Sequence, residues 1–346
     1  MNSLLSSRLI RYVRFPLALS AIGLVAVLGF QGLQAAWLTL VLLLLEISLS
    51  FDNAIVNARV LDRMTPGQQK FFLTWGLVIP VFGVRFLGPL VMVALAGQVG
   101  LGEALDAALH HPDHYRELLE IAEPRILAFG GMFLLMVFLH YFFDDAKTLH
   151  WWTSLEKRLS AAGRIEALEV AVALIVLLVL VTIAPGEMRG DLMVCGVLGV
   201  VLQLLATSLA DAFGDEAQAG ARVAAGGGLA SFLYLELLDA SFSLDGTIGA
   251  FAITSNIILI VVGLGLGALF IRSLTLLLTR ERALEELIYL EHGAHYAIGA
   301  LGLLMLVGIP LGAHHLHVPE WLSGLIGVVL LAIALVDSIR QGKRSA

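Results

Sequence analysis

Hydrophobic positions fall in long blocks separated by short polar breaks, not in the short alternations of an amphipathic soluble fold. Apolar runs of about 18 residues or more are long enough to cross a bilayer as helices. They occur at 16–33, 36–58, 71–97, 125–143, 168–185, 191–210, 227–248, 251–278, 294–312 and 321–339. The pattern predicts an all-α polytopic membrane protein with about ten transmembrane helices, or nine if the seventh and eighth fuse across the glycine-containing stretch 246–250. The stretch 99–124 is too polar to span and reads as an outer amphipathic helix. Segment 144–167, with Trp151 and Trp152 among several charges, reads as an inner interfacial helix. Arg8, Arg11 and Arg14 precede the first block in the manner of a signal peptide. The apolar pattern resumes at once beyond it, so it is read as a retained first span.

Composition agrees with the pattern. Of 346 residues, 59% are hydrophobic and 14% charged, against about 25% charged in a soluble domain. The net charge of −7 argues against nucleic acid as a partner. The single cysteine, Cys195, excludes an internal disulfide and a cysteine-built metal site. The 35 glycines suit close helix packing and helix breaks.

Basic residues orient the spans. All of the 21 lysines and arginines except Arg85, Arg116, Arg125 and Arg189 fall in the terminal segments and loops that alternation assigns to one side. The positive-inside rule makes that side cytoplasmic. The expectation is an integral protein of the plasma (inner) membrane, multi-pass, with both termini in the cytoplasm. His110, His111, His114, His314, His315 and His317 lie in the two longer outer segments. They read as solvated loop residues or as weak cation acceptors at an exit mouth.

The candidate chemistry lies within two of the blocks. Leu45 to Ala58, LEISLSFDNAIVNA, carries Glu46, Asp52, Asn53 and Asn57 in an otherwise apolar run. A charge at the centre of a membrane helix costs at least about 2.5–3.5 kcal/mol, so two in one segment imply a substrate or an ion. The same pattern recurs downstream without gaps. Glu46 aligns with Asp239, Ser48 with Ser241, Ser50 with Ser243, Asp52 with Asp245, and Asn53 with Gly246, while Glu236 adds a fifth carboxylate.

The copies fall in the second and seventh spans, an odd offset, so the two halves enter the membrane in opposite directions. That is an inverted-repeat transporter architecture with a site near the midplane. The expected organisation is one membrane domain over 1–346, with repeat halves 1–186 and 190–346. At about 100° per residue, Glu46, Ser50, Asn53 and Asn57 share one helix face and Ser48 and Asp52 another. Either the motif helix is broken near its serines, or the two acids serve different points on a path.

Carboxylates, hydroxyls and an amide are hard oxygen ligands, suited to magnesium, calcium and manganese(II) rather than zinc or copper. Clustered carboxylates would take up protons as a metal leaves, which offers proton antiport. The competing structural reading pairs these acids with basic groups, but Arg85 is the only basic residue deep in a predicted span. Arg85 itself reads as a gate, a counter-ion or a snorkelling side chain. His140, Asp144 and Asp145 close the fourth span and read as a boundary cluster, and Asp337 as a solvated span end.

Glu46 to Asn53 (EISLSFDN) and Glu236 to Asp245 (ELLDASFSLD) resemble the paired acidic motifs of the TerC superfamily of integral membrane proteins. The resemblance covers both motif spans and the general hydropathy. It implies a transporter related to LysE-type families, with manganese(II) export among its activities. It also implicates Glu46, Asp52, Asn53, Glu236, Asp239 and Asp245 as the metal site, and the residues around these motifs add Ser50, Ser243, Asn57 and Arg85 as candidate accessory residues. Gly246 and Ile248 depart from the serine and proline of that pattern, which bears on local backbone geometry and on the choice of metal.

The expected function is therefore secondary export of a divalent metal ion, manganese(II) foremost. The metal is substrate, the proton is the coupling ion, the bilayer is the surroundings, and there is no permanent cofactor. No GxxxxGK[ST] motif would couple the chain to ATP. Two alternatives stay open: a membrane-embedded metal-dependent enzyme, and a scaffold that loads metal without net transport. No HExxH or GxSxG motif favours the enzyme. Nothing in the pattern sets an oligomeric state.

Overall fold

The computed structural model describes residues 2–62, 67, 69, 87–165, 167–215, 250, 253–254, 256–280, 287–313 and 320–345, leaving some side chains among these undescribed. Among the described residues there are helices and no strands. In chain order they are α1 (Asn2–Leu49), α2 (Phe51–Asp62), α3 (Gly88–Ala96), α4 (Leu101–His110) and α5 (Pro112–Phe143). They continue with α6 (Thr153–Ala162), α7 (Leu168–Ile183), a 3-10 turn at Gly186–Met188, α8 (Arg189–Asp215), α9 (Ile257–Arg280), α10 (Leu290–Ala313) and α11 (Glu320–Ser345). Five are long and apolar enough to cross a membrane: Tyr12–Ile47, Asp113–Phe143, Gly186–Ser208, Ile257–Arg280 and Leu290–Gly312. Leu168–Ile183 is apolar but shorter.

The chain forms two compact units, Met1–Ala122 with Ala210–Glu286, and Glu123–Leu209 with Leu287–Ala346. Each therefore draws on two separate stretches of the sequence.

In the first unit, α1 is two helical limbs joined at Gly32, whose φ of 85° only glycine adopts without strain. The break falls at the predicted boundary between the first two spans. Gln31 accepts a hydrogen bond from Asn256 Nδ2 (3.1 Å), just ahead of α9. Gly23 of the first limb lies against Leu266, while Gly263 and Gly267 lie against Leu42 and Glu46 of the second. Residue numbers on α9 thus fall along the first limb and rise along the second. The limbs form a hairpin on α9, with the second limb parallel to it. Gly263 and Gly267, four residues apart, present one small face that lets the backbones approach as membrane helices do.

In the second unit, Gly131 on α5 meets Leu306 and Gly302 on α10, and Leu127 lies near Gly308, so these helices run antiparallel. α5 and α8 run parallel: Arg125 Nε donates to Asp191 Oδ2 (2.9 Å) and Gly199 sits on the backbone of Phe129. α11 returns antiparallel along α10, with Gly293 against Ala334 and Gly327 against Ala297.

Two sequence expectations are revised. The stretch 99–124 is not one outer helix, because the chain breaks at His111 and Pro112 opens α5. Proline suits the first turn of a helix, where its missing N–H is not needed. α5 then continues through Pro124 into the fourth span. Segment 144–167 is helical only over Thr153–Ala162, and the residues before it are irregular.

Candidate functional site

The first motif is described in part. Glu46 lies near the end of the second limb of α1 and is 2% exposed. Ser50, one turn on, donates its hydroxyl to Glu46 Oε1 at 2.7 Å. The expected shared face is therefore real for this pair. Between α1 and α2 the helix is interrupted at the single residue Ser50. The backbone ladder nevertheless continues across it, with Ser50 N–H to Glu46 O (3.0 Å) and Ala54 N–H to Ser50 O (3.3 Å). This is a slight opening at the serine, well short of an unwound segment.

Gly267 packs directly on Glu46, where a Cβ would stand 2.6 Å from Glu46 Cβ and 2.7 Å from its Cγ. That close approach is what lets α9 cover the carboxylate's stem. Further along, Asn57 on α2 is 8% exposed, and its Oδ1 is buried without a hydrogen-bond partner. An unmet amide oxygen inside an apolar helix costs free energy unless something fills it. The neighbouring residues Ala54, Ile55, Val56 and Ala58 are also buried.

The other predicted ligands are not brought into view. The side chains of Asp52 and Asn53 are outside the described set, although both residues lie in the first turn of α2. Arg85, Glu236, Asp239, Ser243 and Asp245 lie outside the described residues. Among the described residues, no three His, Cys, Asp or Glu side chains gather as a metal site. An apolar helix carries a buried basic residue. Arg272 on α9 is 9% exposed and lies about 140° round the helix from the Gly267 face. Sequence reading had placed it in a loop. His110, His111 and His114 are exposed at the α4–α5 junction beside Asp106 and Glu117.

The second unit holds a buried polar cluster that sequence reading missed. Glu156 on α6 is 1% exposed, and its Oε2 accepts from the backbone N–H of Trp151 (3.1 Å) and its Oε1 from that of Trp152 (3.2 Å). The Tyr296 hydroxyl donates to Oε1 (3.2 Å). Lys147 Nζ and His292 Nε2 each lie 3.3 Å from Oε2. Lys147 also sits over the rings of Tyr141 (3.9 Å) and Phe142 (4.3 Å). Burial pushes its amine below the ordinary lysine range, and the Glu156 carboxylate opposes that shift. The expected solvated Asp337 instead accepts from Trp151 Nε1 at 3.1 Å. One signal was available: Thr153-Ser-Leu-Glu156 has the spacing of a capping box, in which the acid reaches back to the N–H groups ahead of the helix. The burial of Glu156 had no such mark. His140 approaches Glu169 (3.3 Å) and Asp144 caps Ala146 (2.9 Å), as boundary residues do.

No curated protein and no solved structure matches the chain. Residues 51–345 match the family model described as "Protein of unknown function (DUF475)", a match that begins just after Glu46 and Ser50, and the chain belongs to that family.

Proposed function

We propose that the protein is a secondary transporter that exports a divalent metal ion, manganese(II) foremost, through a carboxylate-rich site shared by its two motif spans. The observation that carries this reading is Glu46. It is a carboxylate 2% exposed inside an apolar helix, oriented by Ser50 and followed on α2 by the unmet amide oxygen of Asn57. Hard oxygen donors in such surroundings suit a divalent cation as substrate. Asp52 and Asn53 from the first motif, and Glu236, Asp239 and Asp245 from the second, complete the proposed ligand set. Ser243 and Arg85 are accessory.

Helix directions support the architecture. The second limb of α1 runs parallel to α9, α5 runs parallel to α8, and α5 and α10 are antiparallel. Each relation agrees with strict alternation of ten spans. The interleaved units also fit a repeat protein in which each half lends segments to both bodies. The basic loops put both termini in the cytoplasm, and export follows from the family resemblance. Proton antiport would arise as the carboxylates take up protons when metal departs.

Manganese(II) uptake into inverted vesicles tests the reading. Wild-type protein is expected to accumulate the ion, and Asp52→Asn and Asp245→Asn to abolish uptake. Normal uptake by both variants would end the proposal.

A further inference from the structure

The cluster about Glu156 has a feature that a tie between helices does not need. One carboxylate oxygen, Oε2, is equidistant at 3.3 Å from two bases, Lys147 Nζ and His292 Nε2. All three side chains are buried, at 1% exposure for Glu156, 3% for His292 and 9% for Lys147. A single negative charge in such surroundings balances one positive charge, and a second would be buried uncompensated.

The hydrogen bonds set the resting form of the imidazole. His292 Nε2 lies 3.0 Å from the carbonyl oxygen of Leu149, which only accepts, so Nε2 carries the hydrogen. Nδ1 is then the acceptor of the Tyr141 hydroxyl at 3.3 Å. In this form Lys147 holds the positive charge. Its Nζ is close enough for an ion pair, but the angle makes no hydrogen bond, and two aromatic faces supply the rest of its surroundings.

We propose that Glu156, Lys147 and His292 form a proton-binding site that stabilises one positive charge on either of two bases and not on both at once. When Lys147 releases its proton to solvent, His292 takes one from solvent at Nδ1, and the Tyr141 hydroxyl turns to accept from it. The net charge of the cluster is unchanged. The other titratable side chains around it are Asp144 ahead of α6, Tyr289, Glu291, His295 and Tyr296 at the start of α10, and Asp337 on α11. His295 Nδ1 is committed to the Glu291 carbonyl (2.8 Å), and its ring stacks on Tyr141. Asp144 and Glu291 add negative potential that favours keeping one cation rather than none. In the transporter reading, on which only this role rests, the site exchanges protons with solvent at the end of the second unit that the basic loops mark as cytoplasmic.

The test is titration of His292 in the full-length protein in detergent, labelled with 15N-histidine. The signal is assigned by its loss in His292→Gln. Removing the competing cation in Lys147→Met is expected to raise the midpoint of His292 by about one pH unit or more, tenfold in proton affinity. Lys147→Arg, a permanent cation, is expected not to raise it. If Lys147→Met does not fold, Lys147→Gln carries the same comparison. A midpoint unmoved by the loss of Lys147 overturns the proposal and leaves a purely structural tie. That result is independent of metal uptake, which Glu46→Gln reports separately.

Discussion

The protein buries two glutamates almost equally, Glu46 at 2% and Glu156 at 1% exposure, and builds opposite surroundings for them. Glu156 is met by two backbone N–H groups, a tyrosine hydroxyl, a lysine and a histidine, drawn from two separate stretches of chain. One partner of Glu46 is a serine one turn along the same run, and a glycine of α9 is pressed against its stem. A carboxylate whose donors converge from separate elements holds those elements together. A carboxylate beside a hydroxyl of its own run forms with it a set of hard oxygen donors of the kind a divalent cation takes.

The comparison breaks most sharply if the two residues are exchanged in role. Glu156→Ala removes the anion and leaves Lys147 buried without its counter-charge. Breaking a buried pair in this way costs about 3–5 kcal/mol, so a large fall in Tm is expected when unfolding in detergent is followed by tryptophan fluorescence. Glu46→Gln keeps an acceptor for Ser50 and the stem that packs on Gly267, so its Tm should fall far less. Its manganese affinity, read by equilibrium binding, should fall at least tenfold, about 1.4 kcal/mol. A Glu46→Gln variant that unfolds while binding metal normally would invert the comparison.

A milder perturbation acts through packing. In Gly267→Ala the new methyl would stand 2.6 Å from Glu46 Cβ and 2.9 Å from the Leu43 carbonyl oxygen, so α9 must shift away. Overpacking of this kind costs about 1–3 kcal/mol. Because the displaced contact is Glu46 itself, metal binding should weaken together with stability. Gly29, which has open space around it, is the control: Gly29→Ala should leave metal binding unchanged.

Much of the fold was legible because membrane spans need only length and apolarity. The predicted spans 191–210, 251–278 and 294–312 reappear in α8, α9 and α10 as helices of membrane length, while 168–185 is the shorter apolar α7 and 321–339 lies within the helix α11. The break between the first two spans was readable as a polar gap, and Gly32 supplies the backbone turn. What failed was local. The sequence expectation ends the outer helix at 124 and begins the span at 125, yet α5 runs through Pro124, since packing in a long helix outweighs one lost backbone bond. The basic-residue pattern counts Arg272 with the inner loop although the predicted span 251–278 contains it, and the helix carries it buried. The pairing of Glu46 with Ser50 followed from their spacing of four residues. The Glu156 cluster did not, because its members meet only through tertiary packing of the irregular segment before α6 with the start of α10.

Unmet polar atoms offer a finer contrast between the units. Asn57 Oδ1 in the first, and both Nε2 and Oε1 of Gln203 in the second, are buried without hydrogen-bond partners. Gln203 lies in the apolar span of α8, and an apolar replacement of similar size relieves its desolvation penalty. Gln203→Leu is therefore expected to raise stability by about 1 kcal/mol, seen as a higher Tm with uptake unaltered. Asn57→Leu should raise Tm similarly and lower manganese affinity. Equal behaviour of the two variants in the binding measurement would remove Asn57 from the proposed site.

The smallest expected effect belongs to Lys147. Burial holds its folded-state affinity for protons below that of a free lysine. Between the two values the unfolded chain binds more protons than the folded one, so stability rises with pH across that window. The penalty is complete below the folded value and gone above the ordinary lysine value. The difference in Tm between wild type and Lys147→Met isolates this group, since other titrations cancel in it. It should drift in favour of wild type as pH rises through the alkaline range. Lys157→Met, at an exposed lysine, is the surface control for the same measurement. A flat difference for Lys147→Met would mean that water reaches the amine, and that Glu156 is no more enclosed than a surface acid.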